Sequence, residues 1–461
     1  MTSTPRSRED RSPTRDSTVA AELRRTLPGS VWAVGDPGYD RARTVWNGAV
    51  DHRPAVVAGC AHIADVQTAL SSARRHGLPI SVRGGGHDWA GRALREGGLV
   101  IDLSAMRSVR VDRRSLSAEV GGGALAGDLL DAAGAHGLAT AAGAVRGVGI
   151  IGMAMAGGYG GLIGRFGLTL DNLLSADVVL ADGTVVVAGP DGDPDLWWAL
   201  RGGGGNFGVV TSARFQLHPL GPVLGGMVMY PIDQAPQVLR DYREIIATAP
   251  DELTVMAGLL TGPSGTPVVF LAPTWSGDVE AGQAAVAPLT RLGTPILTAV
   301  HPMPYPELLR LFEAGSTAGN QYALGTHWLP DLTDEAISAL VEGAVTRSSP
   351  LSLLAVHQFH GAATRVGTDE TAFAVRRPHL LAEVIAAWTP ADGAEQHLTW
   401  LDAATSALAP GAIPGGYPNI LGTADSGRAR LGFASNLNRL LAAKDRYDPD
   451  NAFTAIAALS S

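Results

Sequence analysis

The sequence predicts a two-lobed α+β protein, and three observations lead there. At 461 residues the chain is longer than one ordinary hydrophobic core serves. Strand-like and helix-like segments alternate along it, beginning with a β-α-β unit after residue 55. Glycine crowds into clusters up to Gly221-Pro222 and then thins, while longer helices begin to alternate with β-rich segments. Clustered glycine means tight turns or a backbone that approaches something closely, and it is the first sign of a large ligand.

Composition narrows the class. Hydrophobic residues make up 46% and charged residues 17%, the balance of a globular soluble protein. A net charge of -9 sets aside nucleic acid and anionic membrane as partners. The one cysteine, Cys60, excludes an intrachain disulfide framework and Cys-rich zinc or iron–sulfur sites, and no metal site is expected. Residues 1–30 are polar and lack an apolar signal core, and Glu9, Asp10 and Asp16 argue against a transit peptide, so this segment reads as a disordered tail. No run of about 18 apolar residues occurs, so no membrane span is expected and the protein reads as cytoplasmic.

Taken in order, Ala55–Gly59 reads as a strand. Ile63, Val66, Leu70 and Ala73 recur at helical spacing up to Gly77, and Leu78–Val82 reads as the next strand, stopped by Gly84-Gly85-Gly86. Leu99–Leu103 is a buried strand. Val109–Val111 and Leu116–Val120 form a hairpin pair, and Gly121-Gly122-Gly123 opens a helix over Leu125–His136. Leu174–Leu180 and Thr184–Ala188 flank the turn Ala181-Asp182-Gly183. Asp193-Pro194 is an N-cap followed by a helix-starting proline, and Val209–Leu217 is a strand. Beyond 221, helices are expected over Gln237–Ala247, Val279–Leu289, Pro306–Glu313, Asp334–Thr346 and Pro378–Ala387, and a last one over Arg428–Arg446.

Three glycine clusters suit a phosphate or a flat cofactor: Arg83-Gly84-Gly85-Gly86-His87-Asp88, Gly157-Gly158-Tyr159-Gly160-Gly161, and Gly202–Gly205 with Asn206-Phe207-Gly208. A nicotinamide-type fingerprint is a weak alternative. Gly121-x-Gly123-x-x-Ala126 has its spacing but no acidic ribose partner about 20 residues on, and Gly203-x-Gly205-x-x-Gly208 follows a helix instead of a strand.

The same residues carry a resemblance. Ser81-Val82-Arg83-Gly84-Gly85-Gly86-His87 resembles the pyrophosphate loop of berberine-bridge-enzyme-like flavoproteins, the vanillyl-alcohol-oxidase type with a PCMH-type FAD-binding domain. Asp171-Asn172-Leu173, Ala181-Asp182-Gly183 and the run Asp195 to Val210 are similar to that family's next blocks. Tyr417-Pro418-Asn419 and Tyr447-Asp448-Pro449-Asp450-Asn451-x-Phe453 resemble its closing motifs. The matches run in order from about Trp46 to Phe453.

The resemblance implies an α+β architecture: a PCMH-type FAD-binding domain at 31–221, an inserted antiparallel-sheet-plus-helices substrate domain at 222–415, and a berberine-bridge-like segment at 416–461 that returns to the first. It implies FAD bonded through His87. Around it are expected Arg83, Gly84, Gly85, Gly86, Asp88, Gly91, Gly121, Val145, Val148, Gly149, Gly152, Gly158, Tyr159, Gly160, Gly208, Val210, Tyr417 and Asn419. Val145 stands where many members carry a second, cysteinyl bond, so a single histidyl link is expected and Cys60 reads as structural. Val148 matches a position that controls oxygen access.

The residues suit such chemistry. A neutral imidazole is a nucleophile toward an activated flavin methyl carbon. Substrate oxidation needs a hydride acceptor and commonly a base. The family's glutamate base aligns with His357, and Tyr417 is placed to hydrogen-bond a substrate oxygen, so both are candidate catalytic residues; a plain structural histidine is the competing reading of His357. In Val-His-Gln-Phe-His-Gly, strand alternation puts His357 and Phe359 on one face and His360 on the other. The implied function is an FAD-dependent oxidase of a small, flat or apolar organic molecule, reoxidised by O2, acting as a monomer or homodimer. An oxygenase or oxidative cyclase of the same family, or a flavin-retaining non-redox protein, are the alternatives.

Overall fold

A computed structural model describes residues 15–27, 30–455 and 459. The opening β-α-β unit forms as its apolar spacing requires. Strand Val56–Gly59, helix Ile63–His76 and strand Ile80–Arg83 are joined to Leu99–Asp102, which lies parallel between the two strands. Gly77 ends the helix at φ 59°, a left-handed conformation open to glycine. Strand Val31–Ala33 adds antiparallel at the edge.

One expectation for the N-terminus fails. Residues 15–26 form a helix instead of a disordered tail, and its Val19, Ala20 and Leu23, with Leu27 beyond its end, are buried against Val56, Ala58, Val66 and Leu70. Their spacing is an apolar helical stripe inside a polar segment. Residues 1–14, also expected to be disordered, lie outside the described residues.

A second, antiparallel sheet follows in the order Val109–Asp112, Ser117–Gly121, Val209–Gln216, Leu173–Val179, Val185–Ala188. Helix Pro194–Gly203 starts where Asp193 accepts the Leu196 N–H at 2.9 Å, with proline in its first turn.

Between residues 223 and 388 lies a seven-stranded antiparallel sheet, ordered Leu297–Met303, Val223–Pro231, Pro267–Trp275, Leu253–Thr261, Leu353–Phe359, His379–Trp388, Gln321–Leu329. Alternation divides its residues. Val228, Tyr230, Val255, Leu271, Leu354, Val356 and Val384 pack in one core with residues of the helices Ala235–Ala247, Asp334–Val345 and Ala394–Ala407. The opposite face carries Met256, Ala272, Thr274, His357, Phe359, Leu381 and Glu383, and its Phe359 and Leu381 cluster with Tyr159 of the glycine-rich part and Tyr417 of the closing segment. The site lies at that junction.

Two element readings are corrected here. Pro378–Ala387, read as a helix, is the strand His379–Trp388, buried on both faces. A doubly buried strand shows a continuous apolar run with no period of two, so its sequence resembles a buried helix. The expected helix over Arg428–Arg446 is broken into Ser426–Gly432 and Leu437–Tyr447, separated by a 3-10 turn with Ala434 at φ 46°.

The closing segment is clasped to the third glycine cluster by a buried ammonium. Lys444 Nζ donates to Asn206 O at 2.9 Å, Phe453 O at 2.6 Å and the Asp448 carboxylate, and both charged side chains are almost wholly buried. Asn206 Oδ1 in turn accepts the Ala455 N–H at 2.7 Å. No helix among the described residues is long and apolar enough to cross a membrane.

Candidate active site

The site begins with backbone. After strand Ile80–Arg83 the chain turns through Gly84–Gly86. Among the described residues, the N–H groups of Gly84, Gly85, Gly86, His87 and Asp88 find no acceptor in the chain. Buried or half-buried amides are ordinarily paired, so a run of unpaired donors marks a place for an anionic ligand. A Cβ on Gly85 would collide with the backbone of Gly149, and one on Gly149 would fall 2.7 Å from Gly85 N. Glycine at both positions lets this loop meet the start of helix Ile150–Ala156. On that helix Gly152 is exposed, with nothing within 4 Å of where a Cβ would stand, and the stripe it shares with Val148 and Met155 is only partly covered. Free amides ending at a histidine, beside a bare helix stripe, fit the pyrophosphate and flat ring of FAD.

His87 sits in an aromatic stack. Its ring lies 4.1 Å from Trp46 at 15°, and Trp46 lies 3.9 Å from Tyr322 at 19°. Ser316 Oγ is 3.4 Å from His87 Nε2. Burial pulls the imidazole down to about 4, against a smaller raising effect of its own backbone and Asp88, so the ring is neutral near pH 7. Asp88 is neutralised by Arg92, which binds it through both backbone and guanidinium.

Tyr417 is buried at 5% exposure, and its hydroxyl oxygen accepts two hydrogen bonds, from Gly158 N–H at 2.7 Å and Asn419 Nδ2 at 2.9 Å. Burial pushes the phenol up to about 12, outweighing those two donors. It therefore keeps its proton at neutral pH. Asn419 also donates to Met153 O at 3.1 Å, so it ties Tyr417 to helix Ile150–Ala156. Gly157 makes room for the ring: a Cβ there would stand 2.5 Å from Tyr417 Cε2.

Beside it, Tyr159 packs edge-on at 4.9 Å. Its hydroxyl accepts from Trp328 Nε1 at 3.1 Å and donates to His379 Nε2 at 2.7 Å, because His379 Nδ1 is occupied in donating to Arg377 O at 2.8 Å. Tyr159, expected at the cofactor, is thus committed to an internal network.

His357 does face the junction. It lines a cavity with Ala144, Gly161, Thr274, Tyr305 and Phe312, and Met256, Ala272, Leu308 and Leu309 complete an apolar wall. Its Nε2 lies 3.4 Å from Glu383 Oε2, on the neighbouring strand. A carboxylate is therefore present, one strand away from where alignment sought it. Glu383 also acts on Tyr417, where its charge opposes ionisation. His360, expected on the far face, instead reaches Thr254 Oγ1 at 3.0 Å on the site face. The strand ends at Phe359 and Gly361 takes φ 59°, so alternation no longer applies.

Several residues expected at the cofactor also make contacts within the fold. Arg83 is paired with Asp102 and donates to Ala42 O and Thr44 O. Gly121 gives its N–H to Ser108 O and is pressed against Met106. Gly208 packs on Val178 and Val179, and Val210 is 4% exposed in the core. Gly91, at φ 75°, turns the chain against Val50. Gly158 serves through its N–H to Tyr417, and Gly160 is pressed on the Ala142 backbone. Val145 and Val148 are partly buried around Gly147, whose Cβ position looks toward His87 at 3.8 Å. The roles of Trp46, Ser316 and Glu383 were not anticipated: Trp46 only marks where the resemblance begins, Ser316 belongs to no motif, and Glu383 lies on the strand read as a helix. Cys60 is buried and its thiol is pushed up to about 12, an unreactive structural residue.

Comparison with known proteins agrees with this geometry. Residues 54–189 match the FAD binding domain family, and residues 422–458 match the family described as berberine and berberine like. An uncharacterized FAD-linked oxidoreductase of Bacillus subtilis is 29% identical over 439 residues, 93% of this chain and 96% of that protein. (R)-6-hydroxynicotine oxidase of Paenarthrobacter nicotinovorans is 34% identical over 300 residues, 63% of this chain and 64% of that one. The crystal structure of 6-hydroxy-D-nicotine oxidase from Arthrobacter nicotinovorans superposes with a TM-score of 0.85 at 27% identity, covering 94% of this chain and 98% of that one.

Proposed function

The chain belongs to the berberine-bridge-enzyme-like FAD-linked oxidoreductases, and from that premise we propose that it is an oxidase of a compact, largely apolar organic molecule, with FAD bonded to His87 alone. In this reading residues 31–221 and 416–461 form the FAD-binding domain, and residues 222–415 form the substrate domain. When bound, FAD supplies the two-electron acceptor and returns the electrons to O2.

The observation that carries the reading is the Tyr417 hydroxyl. Both hydrogen bonds to it are donated from the protein, so its own proton is left for a substrate heteroatom. Tyr417 holds and orients that atom. His357, backed by Glu383 at 3.4 Å, takes the proton released as the substrate is oxidised. Thr254 and Thr274 offer hydroxyls, while Met256, Leu308, Leu309 and Phe312 exclude water and favour an apolar body. The unpaired amides of Gly84–Asp88 suit the pyrophosphate, and neutral His87 suits attachment. The absence of cysteine at Val145 leaves no second bond.

The test is anaerobic mixing of the holoenzyme with a panel of small aromatic and alicyclic alcohols and amines, followed by oxygen. Bleaching of the flavin absorbance, then one H2O2 per oxidised product, is expected, and Tyr417→Phe should slow bleaching without loss of flavin. Peroxide well below product would replace the oxidase with an oxygenase. No bleaching by any member of the panel would remove the apolar-substrate reading.

A further inference from the structure

The aromatic stack on His87 crosses the junction between the two parts of the molecule. Trp46 comes from the loop before the first β-α-β unit, Ser316 from the loop leading into strand Gln321–Leu329, and Tyr322 from the start of that strand. The two loops are tied by backbone. Gly319 N–H donates to Trp46 O at 3.0 Å, Gly48 N–H to Asn320 O at 2.8 Å, and Trp46 N–H to Gly86 O at 2.9 Å. Trp46 Nε1 donates to Ser316 O at 3.1 Å. Asn47 spans the same gap, giving its amide to Trp89 O and Tyr322 O and accepting Tyr322 N–H at 2.9 Å. A surface histidine needs none of this. The clasp fixes the plane of one imidazole ring, one residue past a glycine turn that would otherwise leave it free.

We propose that Trp46, Tyr322 and Ser316 are positioning residues for flavin attachment: the stack holds the His87 ring in plane and Ser316 Oγ sets its orientation, so that one ring nitrogen meets the cofactor methyl. The proposal rests on the reading that His87 carries the flavin. Attachment forms a bond between an imidazole nitrogen and the methyl carbon. The imidazole N–H hydrogen and one methyl hydrogen leave with two electrons, and O2 takes them as H2O2. The step is slow unless the nucleophile is held near its target, since orientation supplies much of the rate of such intramolecular reactions. Burial keeps the imidazole neutral, as the nucleophile must be. Because part of the clasp belongs to the substrate-side loop, attachment follows the docking of that loop.

The experiment uses full-length protein produced without bound flavin and mixed with FAD in air. Two quantities are followed: FAD affinity, by quenching of flavin fluorescence, and the time course of acid-precipitable flavin. Trp46→Ala and Tyr322→Leu should bind FAD within about twofold of wild type yet attach it roughly tenfold more slowly, and Trp46→Phe should restore most of the rate. Ser316→Ala, which leaves the stack intact, should slow attachment by a smaller factor and serves if the stack variants do not fold. Equal attachment rates in wild type and in the variants that fold would overturn the proposal. Wild-type protein that binds FAD but releases all of it on acid treatment would instead overturn the His87 reading beneath it.

Discussion

Replacing Gly157 with alanine probes the placement of Tyr417 without touching its chemistry. The new Cβ would stand 2.5 Å from Tyr417 Cε2 and 3.0 Å from its hydroxyl oxygen. Carbon atoms in contact keep about 3.5–4.0 Å apart, so the ring must retreat by about 1 Å. Gly157 also sits at φ 149°, where an L side chain adds strain of about 1–3 kcal/mol. The retreat breaks or stretches the hydrogen bonds from Gly158 and Asn419, which are 2.7 and 2.9 Å long. Displacement of a reacting group by about 1 Å costs on the order of a hundredfold in rate. The expected outcome is a kcat about a hundredfold below wild type, read as peroxide formed under saturating substrate, with flavin content unchanged in acid precipitates. Turnover within a factor of two of wild type would refute the assignment of Tyr417 to the reacting centre.

Other consequences follow from the same structure. Lys444→Met leaves Asp448 buried at 0% exposure without its cation, so stability should fall by about 3–5 kcal/mol, seen as an earlier urea midpoint; an unchanged midpoint would mean that the clasp carries no load. His379 is buried and held near a pKa of about 4, whereas the unfolded ring titrates at 6.5. Between those values the unfolded chain binds a proton that the folded one refuses, so stability declines as pH falls from 6.5 toward 4, by about 3 kcal/mol at the lower end. His379→Gln should flatten that decline in urea titrations at pH 7 and 4.5, and an identical pH dependence would contradict it. His357→Ala and Glu383→Gln should each lower kcat/KM, and the double variant should be no worse than the poorer single one; strictly additive losses would show that the two act separately.

Much of the first half was legible because its signals are local. Apolar spacing at Ile63, Val66 and Leu70, the Asp193-Pro194 start and the Gly77 stop specify their elements without help from tertiary structure. The glycines of the candidate site were legible as a set, yet not in their separate duties. A glycine that leaves its amide free, such as Gly86, and one that admits a neighbouring backbone, such as Gly121, look the same in a sequence. What failed depends on packing. His379–Trp388 is buried on both faces, and that erased the period of two and hid Glu383 with it. His360 changed face because Gly361 bends the chain after the last paired residue. Trp46 and Tyr322 are separated by hundreds of residues and meet only when the two sheets dock.

The most direct test of the account is the fate of the yellow colour when purified protein is precipitated with acid. Colour that stays with the wild-type pellet and moves to the supernatant in His87→Ala is the predicted result, and it fits the neutral, stacked imidazole beside the free amides of Gly84–Asp88. A wild-type supernatant that carries all the flavin would contradict it.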